Sequence, residues 1–257
     1  MNRDTAHGVL VTGGSRGIGR ATARAFADRG YRVAVHYASR REDAETTLRE
    51  LPGSGHVCLA GDLGDPAAAR RIADEAVAAL GRVDVLVNNA AQAPTEQTRH
   101  AIAEVGYDRW VEVWRRTVEV NLLGAANVTW AVARHLIGQG RPGSVVNVGS
   151  RGAFRGEPEH PAYGASKAAL QAFGQSMAIA LAPHGISVTS VAPGFVATER
   201  QETALAGPHG DRLREQSPFG RVGTAEDVAA AIVHLASPEA AWSSGAVLDV
   251  NGASYLR

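Results

Sequence analysis

The stretch Val9-Leu10-Val11-Thr12-Gly13-Gly14-Ser15-Arg16-Gly17-Ile18-Gly19 decides the fold. Its apolar run reads as a buried strand, its glycines as a tight turn, and residues 21–28, closed by Gly30, as a helix. Strand, glycine turn and helix in that order can cradle a phosphate. The glycines let the backbone approach a pyrophosphate, whose charge is met by free N–H groups at the helix N-terminus. The spacing is Gly-x-x-x-Gly-x-Gly, not the Gly-x-Gly-x-x-Gly of the common dinucleotide fingerprint. A purely structural turn would use the same glycines.

Working outward, short β-branched runs at 31–37, 56–60, 83–87, 145–148, 187–191 and 246–250 read as strands separated by Ala-rich helical stretches. That alternation predicts an α/β fold: one doubly wound parallel sheet, a Rossmann-type domain spanning 1–257, with helices on both faces. The length of 257 residues, 45% of them hydrophobic, suits one large core. Lys plus Arg equals Asp plus Glu at 26 each, so no general electrostatic pull toward nucleic acid or anionic membrane is expected. The lone Cys58 excludes an internal disulfide, and no apolar stretch reaches the length of a membrane-spanning helix. Met1-Asn2-Arg3-Asp4-Thr5 is polar and lacks a signal-peptide core, so a cytoplasmic location is expected. No metal site is expected.

Chemistry enters at Tyr163-Gly164-Ala165-Ser166-Lys167, with Ser150 thirteen positions upstream of Tyr163 at the end of an apolar run. If the stretch after Tyr163 is helical, residues i and i+4 share a face, and the lysine ammonium near the phenol favours its ionised form. Such a tyrosine can protonate a carbonyl oxygen as hydride reaches the carbon, and Ser150 can hold that oxygen by a hydrogen bond. An isolated Tyr-x-x-x-Lys pair is also an ordinary solvated helix face. Trp110, Trp114, Val118 and Leu122 recur every fourth residue and predict one helix face, read as core or subunit interface rather than substrate contact.

Taken together, these segments resemble the short-chain dehydrogenase/reductase family over nearly the whole chain. Further motifs in the same order are Gly61-Asp62-Leu63, Asn88-Asn89-Ala90-Ala91, Asn121 and Pro193-Gly194-Phe195-Val196-Ala197-Thr198. The C-terminal part, from Gly220-Arg221-Val222-Gly223 through Ala225-Glu226-Asp227-Val228-Ala229 to Leu248-Asp249-Val250-Asn251-Gly252, is most similar to the 3-oxoacyl-[acyl-carrier-protein] reductase branch. The resemblance implies catalysis by Ser150, Tyr163 and Lys167, with Asn121 anchoring a water that relays protons to Lys167. It implies a cofactor held by Gly13, Ser15, Arg16, Gly17, Ile18 and Gly19, with Asp62 and Leu63 at the adenine and Asn89 and Ala90 beside its ribose. Pro193, Val196 and Thr198 would meet the nicotinamide and Lys167 its ribose, with Tyr163 also among the residues that contact the cofactor. From the residues alone, Asn121 can be a helix-interior amide bonded to a freed carbonyl, and Asp62 can cap a helix starting near Pro66. Two positions depart from the family pattern: Ala91 and Ala253 stand where glycine is usual.

Cofactor choice can be read at the end of the second strand, Val35-His36-Tyr37-Ala38-Ser39-Arg40-Arg41. An NAD site usually places a carboxylate there to grip the ribose 2'-hydroxyl. That strand end has no acid until Glu42, and Arg16 lies in the glycine turn, so NADP(H) is expected over NAD(H), with Tyr37, Ser39 and Arg40 in its site. Arg40 or Arg41 can equally be the solvated start of the next helix.

The expected reaction is NADPH-dependent reduction of a ketone to a secondary alcohol, with a 3-oxoacyl thioester, presented by an acyl carrier protein, as the leading substrate. A cyclic ketone, quinone or pterin is the alternative, and a catalytically silent dinucleotide sensor the further one. The segment 195–218 is expected to form a lid. Arg200, His209, Arg212 and Arg214 lie within it, either meeting an acidic partner or serving as surface charges, with Gly207, Pro208 and Gly210 as hinges. The stretch 92–116 is longer than the acyl-carrier reductase pattern and is expected at the active-site rim. A homotetramer is implied by resemblance, pairing helices around 110–137 and 166–181 through small residues such as Ala165, Ala168, Ala169 and Ala172.

Overall fold

The computed structural model describes residues 7–208 and 210–257, without the side chains of Arg200, Thr203 and Ala204. Expectations placed on Met1 to Thr5, on His209 and on the Arg200 side chain lie outside the described residues.

β-branched runs become strands where both faces can be covered. The strands β1 (Gly8–Val11), β2 (Arg32–Tyr37), β3 (Val57–Ala60), β4 (Val85–Asn88), β5 (Gly143–Val148), β6 (Ile186–Pro193) and β9 (Val247–Val250) form one sheet. Its order is β3-β2-β1-β4-β5-β6-β9, parallel throughout. All seven expected strands are present, with ends shifted by at most two residues. A short parallel pair, β7 (Val196–Ala197) and β8 (Gly223–Thr224), stands apart from the sheet.

Helices cover both faces. They are α1 (Gly17–Ala27), α2 (Arg41–Glu50), α3 (Pro66–Leu80), α4 (Tyr107–Val118), α5 (Ala125–Gly138), α6 (Gly152–Arg155), α7 (Pro161–Leu181), α8 (Glu202–Ala206), α9 (Gly210–Arg214) and α10 (Ala225–Leu235). Leu10 and Leu86 point to a layer with Ile72 of α3, Val128 and Leu136 of α5 and Ala178 of α7. Their neighbours Val9, Val11, Val85 and Val87 point to the opposite layer, with Phe26 of α1 and Val228 and Ile232 of α10. Burial on both faces explains why the strands read as continuous apolar runs instead of alternating ones. Truncating a fully enclosed residue such as Ile72 to alanine would cost about 2–5 kcal/mol.

Strand order reverses between β1 and β4, and a crevice opens beyond the carboxyl ends of the strands there. Two local expectations are corrected. α1 begins at Gly17, not at residue 21, so the last glycines of the turn are already its first turn. Asp65, not Asp62, caps α3, accepting from the Ala67 N–H at 2.9 Å, with Pro66 at the first helical position where no N–H is needed.

Candidate active site

The crevice is a cleft of about 530 Å³ that runs from the glycine turn past Tyr163 to the segment 195–218. Its floor at one end is backbone. Gly13 and Gly17 have φ of +63° and +52°, a region that disfavours side chains. A Cβ on Gly19 would lie 2.1 Å from the Gly13 carbonyl oxygen, so only glycine fits. Arg16, the N-cap of α1, is extended and makes no side-chain cap; the Gly17 N–H donates to Glu199, and the N–H groups that follow in the first turn are left for an anion. The turn is clamped from outside. Asn89 Nδ2 donates to the carbonyls of Thr12 (3.0 Å) and Gly13 (2.9 Å), and Thr12 Oγ1 accepts from the N–H groups of Asn89 and Ala90. His36, buried on β2, accepts the Gly13 N–H on Nδ1 at 3.1 Å and donates from Nε2 to the Gly61 carbonyl at 2.9 Å. Those partners fix a neutral imidazole, and burial pulls its pKa below the usual histidine value.

Tyr37, Ser39, Arg40 and Arg16 line the cleft where β2 ends. Burial, followed by the nearby charge of Arg40, lowers the pKa of Arg16, against the opposing charges of Asp43 and Glu199. Arg16 forms no ion pair among the described residues, and Arg40 reaches Asp43 only at 3.5 Å. Arg41 is turned away and pairs with Glu45 at 2.6 Å, the solvated helix start expected for one of the two arginines. Ser15 and Ile18 also line the cleft, as do Asp62 and the buried Leu63. Asp62 accepts from Arg116 (2.9 Å) and from the Gly64 N–H (2.9 Å), and the Arg116 hydrogen bond is the main reason its pKa falls below the ordinary carboxylate value.

The proton-transfer candidates stand midway. Pro161 opens α7, placing Tyr163 in its first turn and Lys167 one turn later on the same side. The Lys167 ammonium lies 5.8 Å from the Tyr163 ring centroid and donates to the Val148 carbonyl at 2.7 Å. It is buried and is the only lysine in the sequence. Ser150 leaves the end of β5, and its Oγ accepts from the Gly152 N–H at 3.0 Å. Ser150, Tyr163 and Lys167 all line the cleft, as do Pro193, Val196 and Thr198.

Asn121 is not among the cleft-lining residues. It sits in a π-helical turn, Glu119–Gly124, between α4 and α5. Its Nδ2 donates to Ser166 Oγ (3.0 Å) and to the Gln92 carbonyl (3.2 Å), and its Oδ1 accepts the Gln92 N–H (2.6 Å). The asparagine thus ties the rim to α7. Its side chain is bonded outside its own helix, not to a freed helical carbonyl.

The stretch after Gln92 does border the cleft, through Gln92, Ala93 and Pro94. It is anchored to α7 by His100, which donates from Nδ1 to the Thr98 carbonyl (2.7 Å) and accepts the Ala162 N–H on Nε2 (3.1 Å). His100 is buried, and burial lowers its pKa. Arg99 adds a bridge to Glu159 at 3.0 Å. Trp110 and Trp114, with ring centroids 5.6 Å apart, are half-buried, as are Val118 and Leu122; the buried side of α4 is Val113 and Thr117.

The segment 195–218, expected to be a lid, contains β7, α8 and α9. Glu199 accepts from the Gly17 N–H (3.2 Å) and from Arg20 (3.0 Å), fastening it to the phosphate cradle. Arg214 pairs with Asp211 at 2.9 Å, and Arg212 is exposed. Gly207 and Pro208 separate α8 from α9, whereas Gly210 is a close-packing position, where a Cβ would lie 2.1 Å from the Leu205 carbonyl oxygen.

Reading the sequence missed His36, His100, Arg151 and Gln216. Each works through a partner distant in sequence, so no local spacing marks it.

A backbone phosphate cradle at the switch point, joined to a serine, tyrosine and lysine on one cleft, defines a dinucleotide-dependent oxidoreductase. The comparisons agree. A family model described as enoyl-(acyl carrier protein) reductase matches residues 13–253. L-rhamnose 1-dehydrogenase (NAD(P)(+)) of Sphingomonas sp. (strain SKA58) is 40% identical, with 96% of each chain covered. A 3-oxoacyl-[acyl-carrier-protein] reductase of Staphylococcus epidermidis is 33% identical over 96% of this chain and 98% of its own. A short chain dehydrogenase from Burkholderia cenocepacia J2315, solved in complex with NADP, superposes with a TM-score of 0.84 at 32% identity, covering 98% of this chain and 99% of that one. The chain belongs to the short-chain dehydrogenase/reductase family, and is an NAD(P)-dependent oxidoreductase of that family.

Proposed function

We propose that the protein moves hydride between NADP(H) and a small polar carbonyl compound, forming or oxidising a secondary alcohol, with Tyr163 as the proton donor and acceptor. The observation that carries this reading is the convergence of Ser150, Tyr163 and Lys167 on the cleft that begins at the glycine turn. The nicotinamide supplies the hydride when bound. Ser150 holds the carbonyl oxygen by a hydrogen bond, and Tyr163 gives that oxygen a proton as negative charge develops on it. Lys167, fixed by the Val148 carbonyl, places a positive charge beside the phenol and so stabilises the phenolate left behind. Asn121 acts through Ser166 and Gln92, holding helix and rim at a fixed separation.

Residues suited to the cofactor are Gly13, Gly17 and Gly19 for the pyrophosphate, Arg16 and Arg40 for a 2'-phosphate, and Asp62 and Leu63 for adenine. The two arginines favour NADP(H), because guanidinium groups whose only ion pair among the described residues is the 3.5 Å contact of Arg40 with Asp43 reward a doubly charged group. The polar wall formed by Gln92, Arg151, Arg155 and Gln216 favours a small hydrophilic carbonyl compound over a long acyl chain. The relative acting on L-rhamnose is consistent with that preference. A 3-oxoacyl thioester is the second reading, supported by the name of the reductase relative.

Subunits are proposed to pair through the half-buried face of α4 and through α7, where Ala165 and Ala172 are exposed and Ala168 and Ala169 half-buried.

The test is NADP(H) turnover by the pure protein with sugars, hydroxy acids, their keto forms, β-keto thioesters, quinones and pterins. Turnover of the small polar group with NADP(H) preferred supports the proposal. Turnover confined to β-keto thioesters would replace it with the second reading.

A further inference from the structure

Beyond Ser150 the cleft wall is charged in an unusual way. Arg151 follows Ser150 directly and is 8% exposed, and Arg155 is exposed at the end of the short α6. Both line the cleft. Neither makes an ion pair among the described residues. Arg151 donates to Ser254 Oγ and, at 2.5 Å, to Gln216 Oε1; Arg155 donates to the same Gln216 oxygen at 3.2 Å. One neutral amide oxygen thus serves two cations, a task ordinarily given to a carboxylate or phosphate. Glu157 supplies some opposing charge but packs over Gly152, where a Cβ would lie 2.3 Å from its Oε1, and it forms no hydrogen bond to either arginine.

A buried guanidinium with no counter-ion is costly, and the cost is relieved when an anion enters. The guanidinium fork matches two oxygens of one oxyanion. We propose that Arg151 and Arg155 form a subsite for an oxyanion on the substrate, a carboxylate or a phosphate ester, beside the reacting carbonyl. Gln216 belongs to the lid segment, so an anion accepted here would bind at the point where the lid meets the wall. The inference rests on the cleft being the substrate site of the proposed hydride transfer, and it narrows that substrate to an acid or a phosphate.

The test is calorimetric titration of the protein saturated with NADP+, at constant ionic strength, with matched probes: gluconate against glucose, 3-hydroxybutyrate against its amide, and ribulose 5-phosphate against ribulose. In at least one pair the anion should bind ten-fold or more tighter than its neutral partner, and the pair that does so separates carboxylate from phosphate. Arg155→Met should remove that preference and Arg155→Lys should restore part of it. Arg155 is the cleaner probe, because Arg151 also holds the lid and residue 254. Equal binding in all pairs, or a preference unchanged in Arg155→Met, overturns the proposal. Tyr163→Phe run in parallel keeps the two readings apart: anion preference should survive in it, whereas a failure of the hydride-transfer reading would appear as turnover that does not need Tyr163.

Discussion

At the dinucleotide end of the cleft the surface is largely backbone, with Gly13, Gly17 and Gly19 clamped by Thr12, His36 and Asn89. At the far end it is side chains, with Gln92, Arg151, Arg155 and Gln216 brought from three separate segments. The first kind of surface is set by steric exclusion and tolerates almost no change. The second can be rewritten one side chain at a time without disturbing the cradle, which is how one fold serves many substrates.

Substitutions can break or sharpen this contrast. Gly19→Ala drives a methyl group into the Gly13 carbonyl, so NADPH affinity should fall at least about 100-fold by fluorescence titration, a loss of about 2.7 kcal/mol or more. An alanine at Gln92 should leave that affinity within about two-fold; equal losses at both ends would erase the distinction. Next in size is Arg16→Ala, which would remove the proposed guanidinium–2'-phosphate contact, a charge-assisted hydrogen bond of a kind worth about 1.5–3 kcal/mol. The KM for NADPH should rise about ten-fold or more while the KM for NADH stays put, measured by steady-state kinetics.

His100 tests the join between the rim and the catalytic helix. His100→Leu leaves the buried Ala162 N–H without its acceptor, a cost of about 1–3 kcal/mol in chemical denaturation. Turnover should fall while NADPH binding is kept. Its titration gives a second measure. His36 and His100 are both held neutral in the fold, so the unfolded chain binds more protons as pH falls below about 6.5. The sign follows: their stabilisation is complete above that pH and is lost on acidification. Unfolding midpoints between pH 8 and 5.5 should therefore decline, and less steeply in His100→Leu. The smallest effect lies at Ala253, the one residue other than glycine with positive φ (56°) among the described residues. Ala253→Gly should stabilise the protein by about 0.5–1 kcal/mol in the same assay.

Legibility in the sequence follows the same division. The glycine turn and the Tyr163–Lys167 pair are local patterns, so strand, turn, helix and a shared helix face could be read from spacing alone. Both faces of the sheet are buried, which made the strands plain as apolar runs but hid where α1 began, because glycines inside a helix look like a turn. Asp62 and Asp65 are equivalent as sequence signals before Pro66, and only the engagement of Asp62 by Arg116 separates them. His36 reads as one more strand residue, although its imidazole bonds the turn 23 positions earlier and the loop 25 positions later. His100 and Ala162 are 62 residues apart, and Arg151 and Gln216 are 65 apart, so the substrate end exists only once the chain has folded.

The central claim is that Tyr163 delivers the proton in a site whose cofactor cradle is independent of it. The most direct measurement pairs NADPH titration with single-turnover NADPH oxidation, comparing wild type and Tyr163→Phe on whichever substrate turns over. The account predicts NADPH affinity within about two-fold of wild type and a chemical step slowed by about three orders of magnitude. A step slowed less than about ten-fold, with the cofactor still bound, would contradict it.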